Sequence, residues 1–290
     1  MKTLEEIEEN INKRLENLEA HISKLEDMTN KQFKRIAAAE SLQKRVLNQV
    51  FELLENHSKE FTLNTDVSVR NSSEAVWASV FHDAIENCGW LKNRKLFPGR
   101  WAVGYPAMYA LFRVLENFRP KKILELGLGQ STRIIGQYAA ANSEISHTVV
   151  EADPNWINFF KKDFELSPNT KVQNLEYVML PYQEKEVRQY KDFEKTFKKQ
   201  KFDFIFIDAP FGGDMTDFSR VDVLQLLPFC LEKSFVIMLD DFNRPQEQAT
   251  AAEIEKLLKD NSISFCRGVY SGQKQTVLFC SDDIKFLTSM

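Results

Sequence analysis

The chain has 290 residues, of which 43% are hydrophobic and 28% are charged. This is enough apolar material for one compact domain of ordinary size, and the charged fraction indicates that part of the chain is strongly solvated. A formal net charge of −4 provides no general attraction to phosphate backbones, so we expect no nucleic-acid partner.

The cysteines and the apolar runs indicate the compartment. Cys88, Cys230, Cys266 and Cys280 form no CxxC pair, which is typical of reduced thiols rather than of a disulfide framework or a structural zinc site. No window approaches the roughly 20 apolar residues of a membrane helix, and the N-terminus lacks the apolar region of a signal peptide. The sequence therefore predicts a cytoplasmic protein without a membrane span.

Residues 4–54 have the pattern of one long helix. They contain no proline or glycine, and apolar side chains recur among polar ones at spacings of three and four. These side chains are Leu4, Ile7, Ile11, Leu15, Leu18, Ile22 and Leu25. Such a stripe needs a partner, either a second copy in a coiled coil or the rest of the chain folded back onto it. We predict a homo-oligomer formed through residues 1–60, followed by a helical connector over residues 61–100.

From residue 101 onward, apolar strands alternate with helical segments. Near-continuous apolar strands separated by helices predict a parallel sheet that is covered on both faces. The predicted strands are 122–126, 148–151, a stretch within 171–180, 202–208 and 235–240, with a closing hairpin of 263–270 and 275–280. The predicted fold class is α/β, a Rossmann-like doubly wound and mostly parallel seven-stranded sheet with an antiparallel hairpin, over residues 101–290.

The stretch ILELGLGQST places two glycines between the first strand and the next helix. At Gly127 and Gly129 we expect free backbone N–H groups and room for a ligand to approach. Glu151 ends the second strand about twenty residues later, where a carboxylate can accept both hydroxyls of an adenosine ribose. Glu125 adds a carboxylate ahead of the turn, which favours a positively charged ligand over a pyrophosphate.

Four segments in this order, ILELGLGQST, VVEAD, FDFIFIDAPFGG and VIMLDDFNR, resemble the class I S-adenosylmethionine-dependent methyltransferases. The segment WAVGYP and the LDD of the fifth strand are similar to those of O-methyltransferases that act on small molecules and sugars. The resemblance implies S-adenosylmethionine as cofactor and a hydroxyl of a small molecule or glycan intermediate as acceptor. It assigns cofactor contacts to Glu125, Gly127, Gly129, Ser131, Glu151, Ala152, Tyr182 and Asp208, with Tyr182 or its neighbour Gln183 replacing an acidic residue that many members have after the third strand.

Three aspartates follow neighbouring strands, Asp208 after the fourth and Asp240 and Asp241 after the fifth. If they converge, these hard oxygen ligands suit Mg²⁺ or Mn²⁺, and catechol-type members of the family use a comparable set that Asn243 would complete here. The alternative is that Asp208 and Asp241 act in catalysis without a metal, Asp241 as a base or orienting group. Acceptor contacts are predicted at Trp101, Tyr105, Phe211 and Arg220.

Three other interpretations remain open at this stage. The segment IDAPF also resembles the DPPY-like tetrapeptide of amino methyltransferases, which would make the acceptor an amine. The chain is otherwise an NAD-linked oxidoreductase, or a non-catalytic protein in which the coiled coil is the working part. The lysine-rich segment 191–201 is interpreted as a solvated helix face, and His147 has no evident partner.

Overall fold

The computed structural model describes residues 3–99 and 101–290. The chain forms two compact units, Met1–Asp66 and Val67–Met290. Helix α1, Leu4–Ala84, begins in the first unit and ends in the second. It continues thirty residues beyond the predicted 4–54 segment, since 54 to 84 contains neither glycine nor proline to end it earlier.

The first unit is helical, and its apolar stripe is exposed. The seven side chains of the predicted stripe are between 46% and 87% exposed. Among the described residues, no helix combines the length and the apolar character that crossing a bilayer requires.

The second unit is built on a seven-stranded sheet in the order β3-β2-β1-β6-β7-β9-β8. The first five strands in this order are parallel, and β9 runs antiparallel to both of its neighbours. The predicted mostly parallel sheet with a closing antiparallel hairpin is confirmed. The strands are β1 (Lys122–Leu126), β2 (Ser146–Glu151), β3 (Thr170–Asn174), β4 (Tyr177–Tyr182), β5 (Lys185–Tyr190), β6 (Phe202–Ile207), β7 (Leu231–Leu239), β8 (Phe265–Ser271) and β9 (Gln275–Ser281).

Helices cover both faces of this sheet. Along β6, Phe204 and Phe206 pack with α2, α3 and the end of α1, whereas Ile205 and Ile207 pack with α5 and α6. Burial on both faces explains why the central strands are apolar at every position. The remaining helices are α2 (Tyr105–Arg113), α3 (Gln130–Ala140), α4 (Pro154–Asp163), α5 (Phe193–Phe197) and α6 (Pro245–Asp260), with a π-helical turn at Val114–Phe118 and 3₁₀ turns at Asp222–Gln225 and Asp282–Thr288.

A two-stranded hairpin that the sequence analysis did not predict follows β3. Strands β4 and β5 pair antiparallel from Tyr177 with Tyr190 to Tyr182 with Lys185. The segment LPYQ therefore lies at the tip of this hairpin, and the residues that directly follow β3 are Leu175, Glu176 and Tyr177. Placing LPYQ after the third strand was wrong.

The lysine-rich segment 191–201 also differs from its interpretation as a solvated face. It contains α5, whose Phe193 and Phe197 are fully buried against the sheet. The lysines of the segment surround a short helix that anchors two aromatic rings in the core.

The last turns of α1 pack within the second unit. Trp77 donates its indole N–H to the carbonyl of Ser271, at 2.9 Å. Both carboxylate oxygens of Glu74 accept backbone N–H groups, from Tyr105 at 2.6 Å and from Gln273 at 2.8 Å. Helix α1 thereby holds the turn between β8 and β9.

Candidate active site at the carboxyl ends of the strands

A crevice of about 330 Å³ lies where β1, β2, β6 and β7 end. Ligands of open parallel sheets bind at this edge, and the volume is near the lower end of the ~300–1,000 Å³ typical of ligand pockets. The crevice is lined by Trp101, Ala102, Gly127, Leu128, Gly129, Gln130, Glu151, Trp156, Tyr177, Asp208, Ala209, Phe211, Arg220, Asp241, Arg244 and Lys274.

The two glycines after β1 do different work. Gly127 has a φ of +103°, and a Cβ there would lie 3.1 Å from the Cβ of Ala209. This position needs glycine for the shape of the turn. Gly129 has an extended backbone, and a Cβ there would meet nothing within 4 Å. The absence of a side chain at Gly129 therefore leaves open space beside the crevice.

The backbone N–H groups of this turn are already used within the protein. Gly127 donates to the carbonyl of Val150 at 2.9 Å, and Gly129 donates to Oγ1 of Thr132 at 2.9 Å. The free N–H groups expected at the two glycines are therefore not found. What the turn offers a ligand is space rather than donors.

Glu151 ends β2 at the wall of the crevice, with 8% of the residue exposed. Its Oε1 accepts the N–H groups of Ala152 at 2.7 Å and Asp153 at 2.9 Å, and its Oε2 accepts that of Leu128 at 3.2 Å. A carboxylate has about four acceptor positions, so at least one is left for a ligand. Three backbone donors hold this carboxylate in one orientation.

Glu125 is fully buried and does not line the crevice. Its Oε1 accepts the hydroxyl of Thr132 at 3.1 Å, and its Oε2 lies 2.9 Å from Nε2 of His147. Because Thr132 also accepts the N–H of Gly129, Glu125 supports the glycine turn from behind. The partner that His147 lacked in the sequence is Glu125, on the same face of the neighbouring parallel strand.

Four aromatic residues line the crevice, and the sequence analysis had named two of them. The rings of Trp101 and Phe211 are 5.6 Å apart, and Trp101 is 83% exposed. Trp156 and Tyr177 lie near Glu151, and the indole N–H of Trp156 donates to the carbonyl of Leu128 at 2.7 Å. Planar apolar surfaces therefore lie on both sides of the polar floor.

Three predicted contact residues lie away from the crevice. The ring of Tyr182 packs against Phe218 on the hairpin, and Tyr177 takes the place beside Glu151. Ser131 is buried at the start of α3. Tyr105 packs beside Phe81, with their rings 6.0 Å apart.

Asp208, Asp240 and Asp241 lie together, with one oxygen of each within 4.8 Å of the others. Basic side chains surround them. Nη2 of Arg220 lies 3.2 Å from Oδ1 of Asp208 and 2.7 Å from Oδ2 of Asp241. Nζ of Lys274 lies 3.0 Å from Oδ1 of Asp241 and 3.7 Å from Oδ2 of Asp240.

The surroundings separate the three carboxyl groups in acidity. Burial and the Asp240 carboxylate raise the pKa of Asp208 to about 8. Burial also raises the pKa of Asp240. Burial acts to raise the pKa of Asp241 too, but Arg220 and Lys274 outweigh it and hold that pKa below its usual value. Asp241 is therefore a fixed anion, whereas Asp208 is able to exchange a proton near neutral pH.

Two residues of this cluster have strained backbones. Arg220 has a φ of +55° and Asp241 a φ of +57°. Non-glycine residues in this region cost about 1–3 kcal/mol each, and such strain is concentrated at functional sites. The surrounding ion pairs hold both residues in place.

The unpredicted hairpin reaches the crevice through Arg188 of β5. Its guanidinium donates to both carboxylate oxygens of Asp214, at 2.8 and 2.7 Å, and to the carbonyl of Phe211 at 2.5 Å. A bidentate pair of this kind fixes orientation as well as distance. The hairpin therefore holds the loop that carries Phe211.

No family model and no curated protein matches this chain. Among solved structures, it is similar to the Podospora anserina methyltransferase PaMTH1 with SAH bound, at 16% identity over 70% of this chain and 92% of that one, with a TM-score of 0.43. It is similar to an O-methyltransferase from Bacillus cereus in complex with SAH, at 15% identity over 73% and 91%, with a TM-score of 0.41. A spermidine synthase from Thermotoga maritima is 15% identical over 57% and 55%, with a TM-score of 0.36. These values are low, so the function of the crevice is inferred from its own residues.

Proposed function

We propose that the chain is an S-adenosylmethionine-dependent methyltransferase that methylates a hydroxyl of a small molecule or glycan intermediate. The observation that carries the proposal is a carboxylate fixed at the end of β2, Glu151, facing a crevice that Gly129 leaves open. A carboxylate at this place suits the two ribose hydroxyls of an adenosine.

The donor side of the crevice fits this ligand in three respects. Glu151 has an acceptor position left for a ribose hydroxyl, and Trp156 and Tyr177 offer flat faces for an adenine ring. The space beside Gly129 would receive the methionine part. Glu125 acts indirectly, by holding Thr132 and through it the glycine turn. When bound, S-adenosylmethionine supplies a methyl group that is already activated on a positively charged sulfur.

The acceptor side lies across the crevice, where Asp208 follows β6. Methyl transfer from an activated donor depends mainly on holding the acceptor in line, together with removal of its proton. Asp208 lines the crevice with 18% of its side chain exposed, and its raised pKa matches the task of a base. Asp241 is less suited, since cations contact both of its oxygens.

Trp101 and Phe211 are the acceptor contacts that best fit the structure. Their rings lie side by side at the crevice and present an apolar surface to a ring-shaped acceptor. Arg220 has a different part, because its guanidinium is buried between Asp208 and Asp241. We assign it to positioning those carboxylates rather than to contact with the acceptor.

We also propose that the protein is a homo-oligomer joined through its first unit. The exposed stripe continues from residue 15 to residue 53 at alternating spacings of three and four, which is the seam of a coiled coil. The seam consists of Leu15, Leu18, Ile22, Leu25, Thr29, Gln32, Ile36, Ala39, Gln43, Val46, Val50 and Leu53. The polar members of such a seam restrict register and oligomer number. The four cysteines are free thiols, which supports a cytoplasmic location.

Thermal unfolding in the presence of ligands tests the donor assignment. S-adenosylmethionine or S-adenosylhomocysteine at a hundred times its dissociation constant is expected to raise the Tm by about 5 °C or more. Stabilisation by NAD instead would establish the oxidoreductase, and no stabilisation by any of these ligands would favour the non-catalytic protein. With the donor bound, panels of hydroxyl and amino acceptors then separate O-methylation from N-methylation.

A further inference from the structure

The three aspartates at the crevice enclose a lysine. Lys274 lines the crevice from the turn between β8 and β9, and 14% of its side chain is exposed. Its Nζ contacts Asp241 at 3.0 Å and lies 3.7 Å from Oδ2 of Asp240. That oxygen of Asp240 is buried and has no hydrogen-bond partner among the described residues, so the ammonium is its nearest compensating charge.

The turn that carries Lys274 is fixed by its neighbours. Gly272 donates its N–H to the carbonyl of Lys274 at 2.8 Å, and Gln273 donates to Glu74 at 2.8 Å. Gln275 donates to Oδ1 of Asn243 at 3.3 Å. Asn243, which the sequence had offered as a further metal ligand, is therefore occupied in holding the lysine's turn.

Positive charge around the aspartates is already supplied by the chain. Arg220 contacts Asp208 and Asp241, and Nη1 of Arg244 lies 3.0 Å from Oδ2 of Asp241. A divalent ion bound to all three aspartates would have to approach the ammonium of Lys274 closely, and like charges repel strongly in a buried site. The residues present do not fit a magnesium or manganese centre.

We propose that Lys274 is a built-in cation of the acceptor site, whose ammonium takes the place of a divalent metal among Asp208, Asp240 and Asp241. An ammonium has three donors, and the two aspartates that face Lys274 account for two of them. The third is available to an oxygen of the acceptor in the crevice. This last role rests on the proposed methyl transfer, whereas the exclusion of a metal rests on the geometry of the cluster alone.

Mn²⁺ binding to the full chain, followed by electron paramagnetic resonance without donor, tests the proposal. The wild type is expected to bind no Mn²⁺ at the cluster at millimolar concentration. Lys274→Ala is expected to gain at least tenfold in affinity, and adding Asp240→Asn to it is expected to remove the gain. Lys185→Ala is the matched control, because Lys185 is an exposed lysine that pairs with Asp217 outside the crevice.

Two results overturn the proposal: saturable Mn²⁺ binding by the wild type that Asp240→Asn abolishes, or a folded Lys274→Ala protein that gains no affinity. If Lys274→Ala does not fold, the wild type and Asp240→Asn alone decide the question, since binding in the first and not in the second contradicts a built-in cation. Donor binding is not part of this measurement. A failure of the proposed methyltransferase activity therefore leaves its outcome unchanged and is seen separately, in the Tm experiment.

Discussion

Nε2 of His147 lies 2.9 Å from Oε2 of Glu125, and neither side chain is exposed. His147 also lies within hydrogen-bonding distance of Thr170, at 3.1 Å from Nδ1 to Oγ1. The pair therefore connects β1, β2 and β3 directly below the glycine turn. Polar groups buried in this way stabilise a structure only while every member keeps its partner.

Removing the imidazole should destabilise the protein. His147→Ala leaves Oε2 of Glu125 buried without this partner, and we expect a loss of about 2–4 kcal/mol in the free energy of unfolding. Urea denaturation measures it, with His57→Ala at an exposed position of α1 as the control. Glu125→Gln, which keeps a hydrogen-bonding side chain of the same length, should cost less. Equal stability of His147→Ala and the wild type would contradict the structural role of the pair.

Asp222 should make stability depend on pH. Its Oδ1 accepts the N–H of Tyr190 at 2.7 Å, and burial raises its pKa from 3.8 to about 7. Between these values the folded protein holds a proton that the unfolded chain has released, so the contribution of Asp222 to stability falls as the pH rises.

Asp222→Asn removes this titration. The stability of the variant relative to the wild type should increase by about 1 kcal/mol per pH unit between pH 5 and 7. Urea denaturation at pH 5, 6 and 7 measures the difference, and Asp260→Asn at an exposed position serves as control. Profiles that stay parallel across this range would show that Asp222 is not protonated in the folded protein.

Arg188 should govern the order of the loop that carries Phe211. Arg188→Ala removes three hydrogen bonds to Phe211 and Asp214, and we expect amide exchange in residues 211–214 to become about tenfold faster. Affinity for S-adenosylhomocysteine should stay within about threefold, because Arg188 does not line the crevice. Hydrogen–deuterium exchange measures the first effect. Lys185→Ala, on the same hairpin, should leave the loop unchanged, and unchanged exchange in Arg188→Ala as well would contradict the assignment.

The exposed stripe of α1 should set the oligomeric state. Leu18→Lys combined with Ile22→Lys places two charges in the proposed seam, and we expect the oligomer to dissociate. Sedimentation velocity of the full chain measures this. Asn17→Lys combined with Ala20→Lys adds the same charge off the seam and should leave the oligomer intact. A monomeric wild type, or equal behaviour of the two double variants, would rule out the coiled coil.

The sheet could be predicted because its central strands are apolar on both faces and end at clear signals. β1 was predicted with its observed bounds, between two lysines and Gly127. The β4–β5 hairpin was missed because β4 is mostly exposed and contains Pro181, and proline argues against a strand. Its alternating partner KEVRQY, with Val187 buried and Glu186 exposed, was the available signal.

The site was less predictable than the fold, because its side chains meet across elements distant in sequence. Strand ends placed Asp208, Asp240 and Asp241 at one edge of the sheet. Nothing in the local pattern around Lys274 indicates that the antiparallel register of β8 and β9 returns it to those aspartates. Likewise, the contact of His147 with Glu125 depends on how β1 and β2 are aligned, which one strand alone does not reveal.

The central claim is that the open space beside Gly129 receives the donor. Gly129→Val tests it directly, because the backbone there is extended and an added Cβ meets no neighbour, so the free energy of unfolding should change by no more than about 1 kcal/mol. Calorimetric titration with S-adenosylhomocysteine should show binding by the wild type and an affinity at least ~tenfold weaker in the variant, a loss of about 1.4 kcal/mol. Equal affinity in the two proteins, or no heat from the wild type, would contradict the claim.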